Sequence, residues 1–141
     1  LEPVGKPSRT GGSGSGHASK ALNNFLSAAN LLTAAEAMLA GERFGLDPKV
    51  LISVLNASTG RNSATDHKYP NMVLPRTFNS GFAIGLMAKD LRLALEVRRG
   101  PGTPTAMLED TARLYSEAEE QLGGRADNTE IVKYLESMLG K

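Results

Sequence analysis

Lys20 and Asn24 stand four residues apart in the run Lys20-Ala21-Leu22-Asn23-Asn24. On a helix that spacing places one above the other on a single face. A lysine in the first turn of a helix meets the positive end of the helix dipole, which disfavours an ammonium. Partial burial lowers its proton affinity further. A lysine so placed can serve as general acid or base near neutral pH, with Asn24 orienting the substrate or the amine. The plainer alternative is that Lys20 extends into solvent and Asn24 bonds a neighbouring helix.

Other residues invite the same question. The run Gly11-Gly12-Ser13-Gly14-Ser15-Gly16 looks like a phosphate-cradling loop. It fails the G-x-G-x-x-G pattern, because the third glycine is replaced by His17 counting from Gly12 and by Ser19 counting from Gly14. No hydrophobic strand stands immediately before it. What remains is close approach of backbone N–H groups, Gly16 included, to an anionic substrate at a helix N-terminus, or simply a linker. Lys89-Asp90 reads by itself as a surface ion pair of little energetic weight. Arg61 could pair with a carboxylate or phosphate. His67 has no partner nearby in sequence and reads as a surface residue, whereas His17 could cap a helix or touch the mouth of a site.

These residues must be held by helices. Ala18, Ala21, Phe25, Ala28, Leu32, Ala35 and Leu39 recur at alternating spacings of three and four, the apolar face of a helix from about His17 to Phe44. Lys20, Asn23, Asn24, Ser27 and Asn30 form a polar stripe on another side, which needs hydrogen-bond partners if it is covered. Asp47-Pro48 reads as a helix start, and Gly60 as the end of that helix. Residues 58–82 are mixed, with a short helix near 63–73 between the breaks implied by Pro70 and Pro75. Further helices are expected from Ala83 to Arg99, from Thr103-Pro104 to Gly123, and after Asp127-Asn128. Arg98 and Arg99 suit the negative end of the helix that precedes them. The fold class is all-α, about five to six helices around one long N-terminal helix.

Composition narrows the function. The chain has 141 residues, one domain's worth, with 16 Lys+Arg against 15 Asp+Glu and a net charge of +1. A polyanion binder usually carries a basic excess, so nucleic acid is not an expected partner. There are no cysteines, which excludes disulfides, thiol catalysis and Cys-based zinc sites. Two histidines fifty residues apart in sequence argue against a His-rich metal site. No segment reads as a secretory signal or a membrane span, so the expected setting is the cytoplasm, away from membranes.

The motifs together resemble one family. Gly14-Ser15-Gly16-His17-Ala18-Ser19-Lys20-Ala21-Leu22-Asn23-Asn24 is similar to the G-x-G-x-x-x-K-x-x-N-N segment of the β-hydroxyacid dehydrogenases, such as 3-hydroxyisobutyrate dehydrogenase. Its Gly-His-x-x-Lys form also resembles 6-phosphogluconate dehydrogenase. Ala35-Glu36-Ala37, Gly45-Leu46-Asp47-Pro48, Leu55 to Arg61, and Gly81-Phe82 through Lys89-Asp90-Leu91 follow in the family's order. One departure is Asn62-Ser63, where 3-hydroxyisobutyrate dehydrogenases tend to carry an aromatic nearby.

The resemblance implies a division of labour. An N-terminal Rossmann domain would hold NAD or NADP, and this chain would be the helical C-terminal half that begins with the long interdomain helix. Residues 1–13 would be the end of the Rossmann part and a linker, and residues 14–141 the substrate and oligomerisation domain. Lys20 matches the family's catalytic lysine and Asn24 its substrate-binding asparagine. Lys89 matches a lysine that approaches the cofactor, and Phe82 an aromatic position near the same pocket. Imine reductases share the fold but generally lack this lysine, so Lys20 favours oxidation of a small 3-hydroxy acid. The long helix has apolar residues on more than one side, so a homodimer, a homotetramer or the Rossmann partner is expected to cover them. The other reading is a helical dimerisation or binding domain without catalysis.

Overall fold

The computed structural model describes residues 13–98 and 102–139. The expected remnant of a preceding domain therefore lies outside the described residues, apart from Ser13, which opens the first helix. Among the described residues five α-helices follow in order: α1 (Ser13–Phe44), α2 (Pro48–Asn56), α3 (Ile84–Val97), α4 (Ala106–Leu122) and α5 (Ile131–Ser137). A π-helical segment, Ala64–Val73, lies between α2 and α3, and a 3₁₀ turn, Asn128–Glu130, leads into α5. Among the described residues the only β pairing is an isolated bridge between Ala83 and Asp127.

Of the expected apolar face of α1, Ala21, Ala28, Leu32 and Ala35 are buried and Phe25 and Leu39 pack against the core, while Leu31 and Met38 from outside that row are buried as well. Ala28, Leu31, Ala35 and Met38 are fully buried, and they meet a core built from Ile84, Leu91 and Ala94 of α3, Tyr115 and Ala118 of α4, and Ile131 of α5. Its start differs from the expectation. α1 begins at Ser13, so Gly14 and Gly16 lie inside it. Glycine within a helix costs about 1 kcal/mol relative to alanine, a penalty that contacts elsewhere can offset. Here the first turns of α1 lie beside the end of α3, where Leu93, Glu96 and Val97 face Gly14, Ser15, His17 and Ala18 across a shallow cleft. His17 is therefore not a cap, and Lys20 is the eighth helical residue, past the turn where the dipole acts most strongly.

The remaining boundaries have local causes. Asp47 accepts the N–H of Lys49 at 2.8 Å, and Pro48 opens α2, as the sequence indicates. Asn62 caps the π segment, its Oδ1 accepting from the N–H groups of Ala64 and Thr65 at 2.8 and 3.2 Å. Pro70 sits inside that segment and has no N–H to give to an i→i−4 ladder, so the wider winding stands in for a regular helix. Arg98 crosses to α4 and pairs with Glu109 at 2.5 Å. Arg99 lies outside the described residues.

The start of α3 has no side-chain cap. The loop between α4 and α5 takes that role with its backbone. Ile84 N–H donates to Ala126 O at 2.7 Å, Gly85 N–H to Gly124 O at 3.0 Å, and Asn128 N–H to Phe82 O at 2.7 Å. A Cβ added at Gly85 would stand 3.0 Å from that Gly124 oxygen, so a larger residue there would require the Gly124 backbone to give way by a few tenths of an ångström.

Asp127 ties the junction together. Its carboxylate accepts from the Ser80 hydroxyl and the Gly81 N–H at 3.0 Å, from the Thr129 N–H at 2.9 Å, and from the Thr129 hydroxyl. Glu130 returns the bond to the Asp127 N–H at 2.9 Å, completing a capping box. Burial pushes the Asp127 carboxyl up, but the Thr129, Ser80 and Gly81 donors outweigh that and leave it below its ordinary value. A depressed folded pKa gives stability that is present above the unfolded pKa and lost as pH falls through the folded one. Asp127→Ala is expected to cost about 1–2 kcal/mol at neutral pH. Its deficit relative to the wild type should shrink in denaturant melts as pH falls below the ordinary aspartate range; a gap that stays constant would contradict this account.

Candidate active site

One face of α1 passes from solvent into the core. Gly16, Lys20, Asn24, Ser27 and Leu31 follow one another at steps of three and four, so they share a side of the helix. Lys20 is exposed, Asn24 and Ser27 are half-buried, and Leu31 is fully buried. A group bound along this row would thus have water at one end and protein at the other.

Asn24 is held from across the helix pair. Its Nδ2 donates to Asp90 Oδ2 of α3 at 2.6 Å. Asp90 is 6% exposed, so it is not half of a surface ion pair with Lys89, as the sequence alone suggested. Lys89, one residue earlier, turns about 100° away on the same helix and is exposed. Adjacent residues of one charged dipeptide thus serve different sides of α3.

Beyond Asn24 the row opens on a cleft of about 300 Å³ between α1, the π segment and the start of α3. Asn24, Ser27, His67, Lys68, Phe82 and Asn128 are among the residues that line it. Lys68 Nζ donates to Ser27 Oγ at 2.9 Å. Burial lowers the proton affinity of Lys68, and the nearby Asp127 charge partly opposes that. Asn128 is 2% exposed, and its Oδ1 has no hydrogen-bond partner. His67 pairs with the Asn71 amide at 3.0 Å, so its lack of a partner in the sequence reading does not hold in space.

The expected site residues are therefore distributed as follows. Asn24 and Phe82 line the cleft, and Lys20 stands one turn outside it on the face that Asn24 occupies. Gly16 lies a further turn toward the N-terminus and lines neither this cleft nor the one beside the end of α3. Lys89 sits on the outer side of α3. Arg61 is engaged by Asp66 at 3.0 Å and contributes nothing to the cleft.

Lys68, Ser80, Asn128 and the burial of Asp90 were not read as site features from the sequence. Ser27 was visible only as a member of the polar stripe. Lys68 lies in the Pro-interrupted stretch that has no clear periodicity, and Asp127-Asn128 signals only a helix start. Among the described residues no group of three His, Cys, Asp or Glu side chains could hold a metal ion.

This site sits in a chain of recognisable kind. Residues 14–135 match the model of a family described as the NAD-binding family of NADP-dependent 3-hydroxyisobutyrate dehydrogenase. The chain belongs to that family. It is a helical C-terminal domain of the β-hydroxyacid dehydrogenases, as the motif order implies.

The β-hydroxyacid dehydrogenase relatives include 2-(hydroxymethyl)glutarate dehydrogenase of Eubacterium barkeri, 32% identical over 99% of this chain and 47% of its own length. The mitochondrial 3-hydroxyisobutyrate dehydrogenase of Rattus norvegicus is 36% identical over 89% of this chain and 39% of its own length. Among solved structures, Mycobacterium tuberculosis 3-hydroxyisobutyrate dehydrogenase with L-serine superposes with a TM-score of 0.77 at 26% identity, over 86% of this chain and 43% of that one. The chain spans less than half the length of these relatives.

The Asn24–Asp90 bond makes Asn24 a structural residue as well as a candidate ligand. Removing its amide leaves a buried carboxyl without a donor, at a cost of about 1–3 kcal/mol. Asn24→Ala should therefore lower the unfolding free energy measured in denaturant melts by that amount. A change within about 0.5 kcal/mol, the range of an ordinary surface substitution, would mean that the bond does not order the helix pair.

Proposed function

We propose that this chain is the substrate-binding and catalytic half of an NAD(P)-dependent oxidoreductase acting on a small 3-hydroxy acid, with Lys20 as general acid/base. The observation that carries this is the alignment of Lys20 with an Asn24 amide fixed by Asp90, at the mouth of a polar cleft. The named activities of the relatives, on 3-hydroxyisobutyrate and on 2-(hydroxymethyl)glutarate, support the same class of substrate.

In the oxidation, Lys20 takes the proton from the β-hydroxyl as that carbon gives up hydride. In the reverse direction the Lys20 ammonium returns the proton to the forming alkoxide. Asn24 holds the hydroxyl or the carboxylate in line. Its own position is set by Asp90, so little rotational freedom is lost when substrate arrives.

NAD or NADP, when bound, supplies the hydride acceptor. The residues of this chain fit such a group on its solvent side. Lys89 is exposed and makes no hydrogen bond or ion pair with a described residue, so it can meet an anionic group. Phe82 borders the cleft from the loop before α3.

The rest of the assembly follows from what is uncovered. Leu22 and Leu26 on α1, and Leu86 and Leu93 on α3, are each 40% exposed or more. Such apolar rows favour cover by a Rossmann domain or a second copy of the chain, as a homodimer or homotetramer. No described helix is long and apolar enough to cross a membrane. A cytoplasmic setting is part of the proposal, although several of the relatives are named as mitochondrial.

The test uses the chain together with its upstream coding sequence, assayed for NAD- and NADP-linked oxidation of 3-hydroxy acids. Lys20→Ala should lower kcat by about 10²–10⁴-fold, with a much smaller change in KM. Turnover like the wild type in that variant would remove Lys20 from the mechanism. Absence of turnover with every 3-hydroxy acid would favour a helical binding or dimerisation domain instead.

A further inference from the structure

Lys68 is a half-buried ammonium whose one hydrogen bond to a described residue goes to the neutral Ser27 hydroxyl. No carboxylate of the described residues pairs with it. Asp127 is close enough to be felt, but its oxygens already take donors from Ser80, Gly81 and Thr129. Facing the same cleft is Asn128, nearly fully buried, with an amide oxygen that no described residue engages. A half-buried charge without a counterion and a buried amide without a partner are each unfavourable. Two such groups in one cleft, next to the residue that would hold the substrate, describe a place prepared for a charged ligand group.

We propose that Lys68, Ser27 and Asn128 form a subsite for a second carboxylate, so that the preferred substrate is a hydroxy diacid rather than a hydroxy acid with an apolar branch. This rests on the activity proposed above and adds the identity of the substrate's far end. The Lys68 ammonium meets the carboxylate, and the Ser27 hydroxyl, already turned toward Lys68, steadies it. The Asn128 amide can be turned over to present Nδ2–H, since the two ends of an amide differ only in their hydrogen bonding.

The spacing limits the length of the substrate. Ser27 lies seven residues beyond Lys20, about 10 Å along the helix axis. A reacting hydroxyl and a far carboxylate separated by three carbon–carbon bonds span about 6 Å from oxygen to oxygen, at about 1.2 Å per bond, which fits within that spacing. The cleft of about 300 Å³ accommodates a group of that size.

The experiment compares three substrates with the chain and its upstream coding sequence. They are 2-(hydroxymethyl)succinate, its monoamide at the far carboxyl, and 3-hydroxyisobutyrate, with NAD and NADP supplied. The wild type should prefer the diacid over the monoamide by about 10- to 100-fold in kcat/KM, the weight of a hydrogen bond to a charged group. Lys68→Met should erase that preference through KM, with kcat on 3-hydroxyisobutyrate within about twofold of the wild type. Thermal melts should show Lys68→Met folded and no less stable, because it removes an unpaired half-buried charge.

Several outcomes overturn the subsite. One is a diacid preference unchanged in Lys68→Met. Another is no diacid preference in the wild type. A third is a folded Lys68→Met that has lost turnover of every substrate, since Lys68 would then act in the reaction itself. If the wild type turns over none of the three, calorimetry with 2-(hydroxymethyl)succinate decides separately. Binding that Lys68→Met abolishes would uphold the subsite while the proposed activity fails, and no binding would end both.

Discussion

Asp90 is buried between α1 and α3, and the amide of Asn24 is its donor. A buried carboxyl without a donor is costly, so the two helices are held in a register that brings these positions together. The rest of the site depends on that register. With Asn24 opposite Asp90, the first turns of α1 lie beside the end of α3, and Ser27 comes level with the π segment that carries Lys68. Lys20 is left one turn toward solvent. The same bond that stabilises the helix pair therefore also orients the asparagine that would hold the substrate.

A second polar knot fixes the other wall of the cleft. Asp127 gathers Ser80, Gly81 and Thr129, and the loop around it supplies the backbone oxygens that cap α3. Phe82 and Asn128 are carried into the cleft by this knot, since the N–H of Asn128 bonds the carbonyl of Phe82. Nearby, Arg76 and Phe78 adopt positive φ values of 63° and 46°. Arg76 makes a two-pronged pair with Glu136, and Phe78 lies beneath Arg76 and Lys133 with centroid distances of 4.8 and 4.6 Å. Tertiary contacts of this kind hold a backbone conformation that those residues rarely adopt alone.

The helices were largely legible in the sequence because helical periodicity is local. Ala18 through Leu39 marked the core side of α1, and Asp47-Pro48 marked the start of α2. The order of short motifs was enough to indicate the family, and with it the roles expected of Lys20 and Asn24. Legibility failed where neighbours decide. The early start of α1 goes against the low helix propensity of Gly14 and Gly16. The π winding around Pro70 has no periodic signature. Lys89-Asp90 looked like one surface pair, yet the 100° between adjacent helical residues sends Asp90 inward and Lys89 outward.

The sequence by itself determined the all-helical class, the face of α1 that carries Lys20, Asn24 and Ser27, and the order of short motifs that resembles the family's. It could do so because spacing along one helix and motif order are properties of the chain alone. Only the tertiary structure decided that Asn24 is held by Asp90, that Lys68 reaches Ser27 from 41 residues away, and that Asn128 lines the cleft with an amide oxygen no described residue engages. Those facts depend on which helix faces which, and that is set by burial of apolar surface and the need of each buried polar group for a partner.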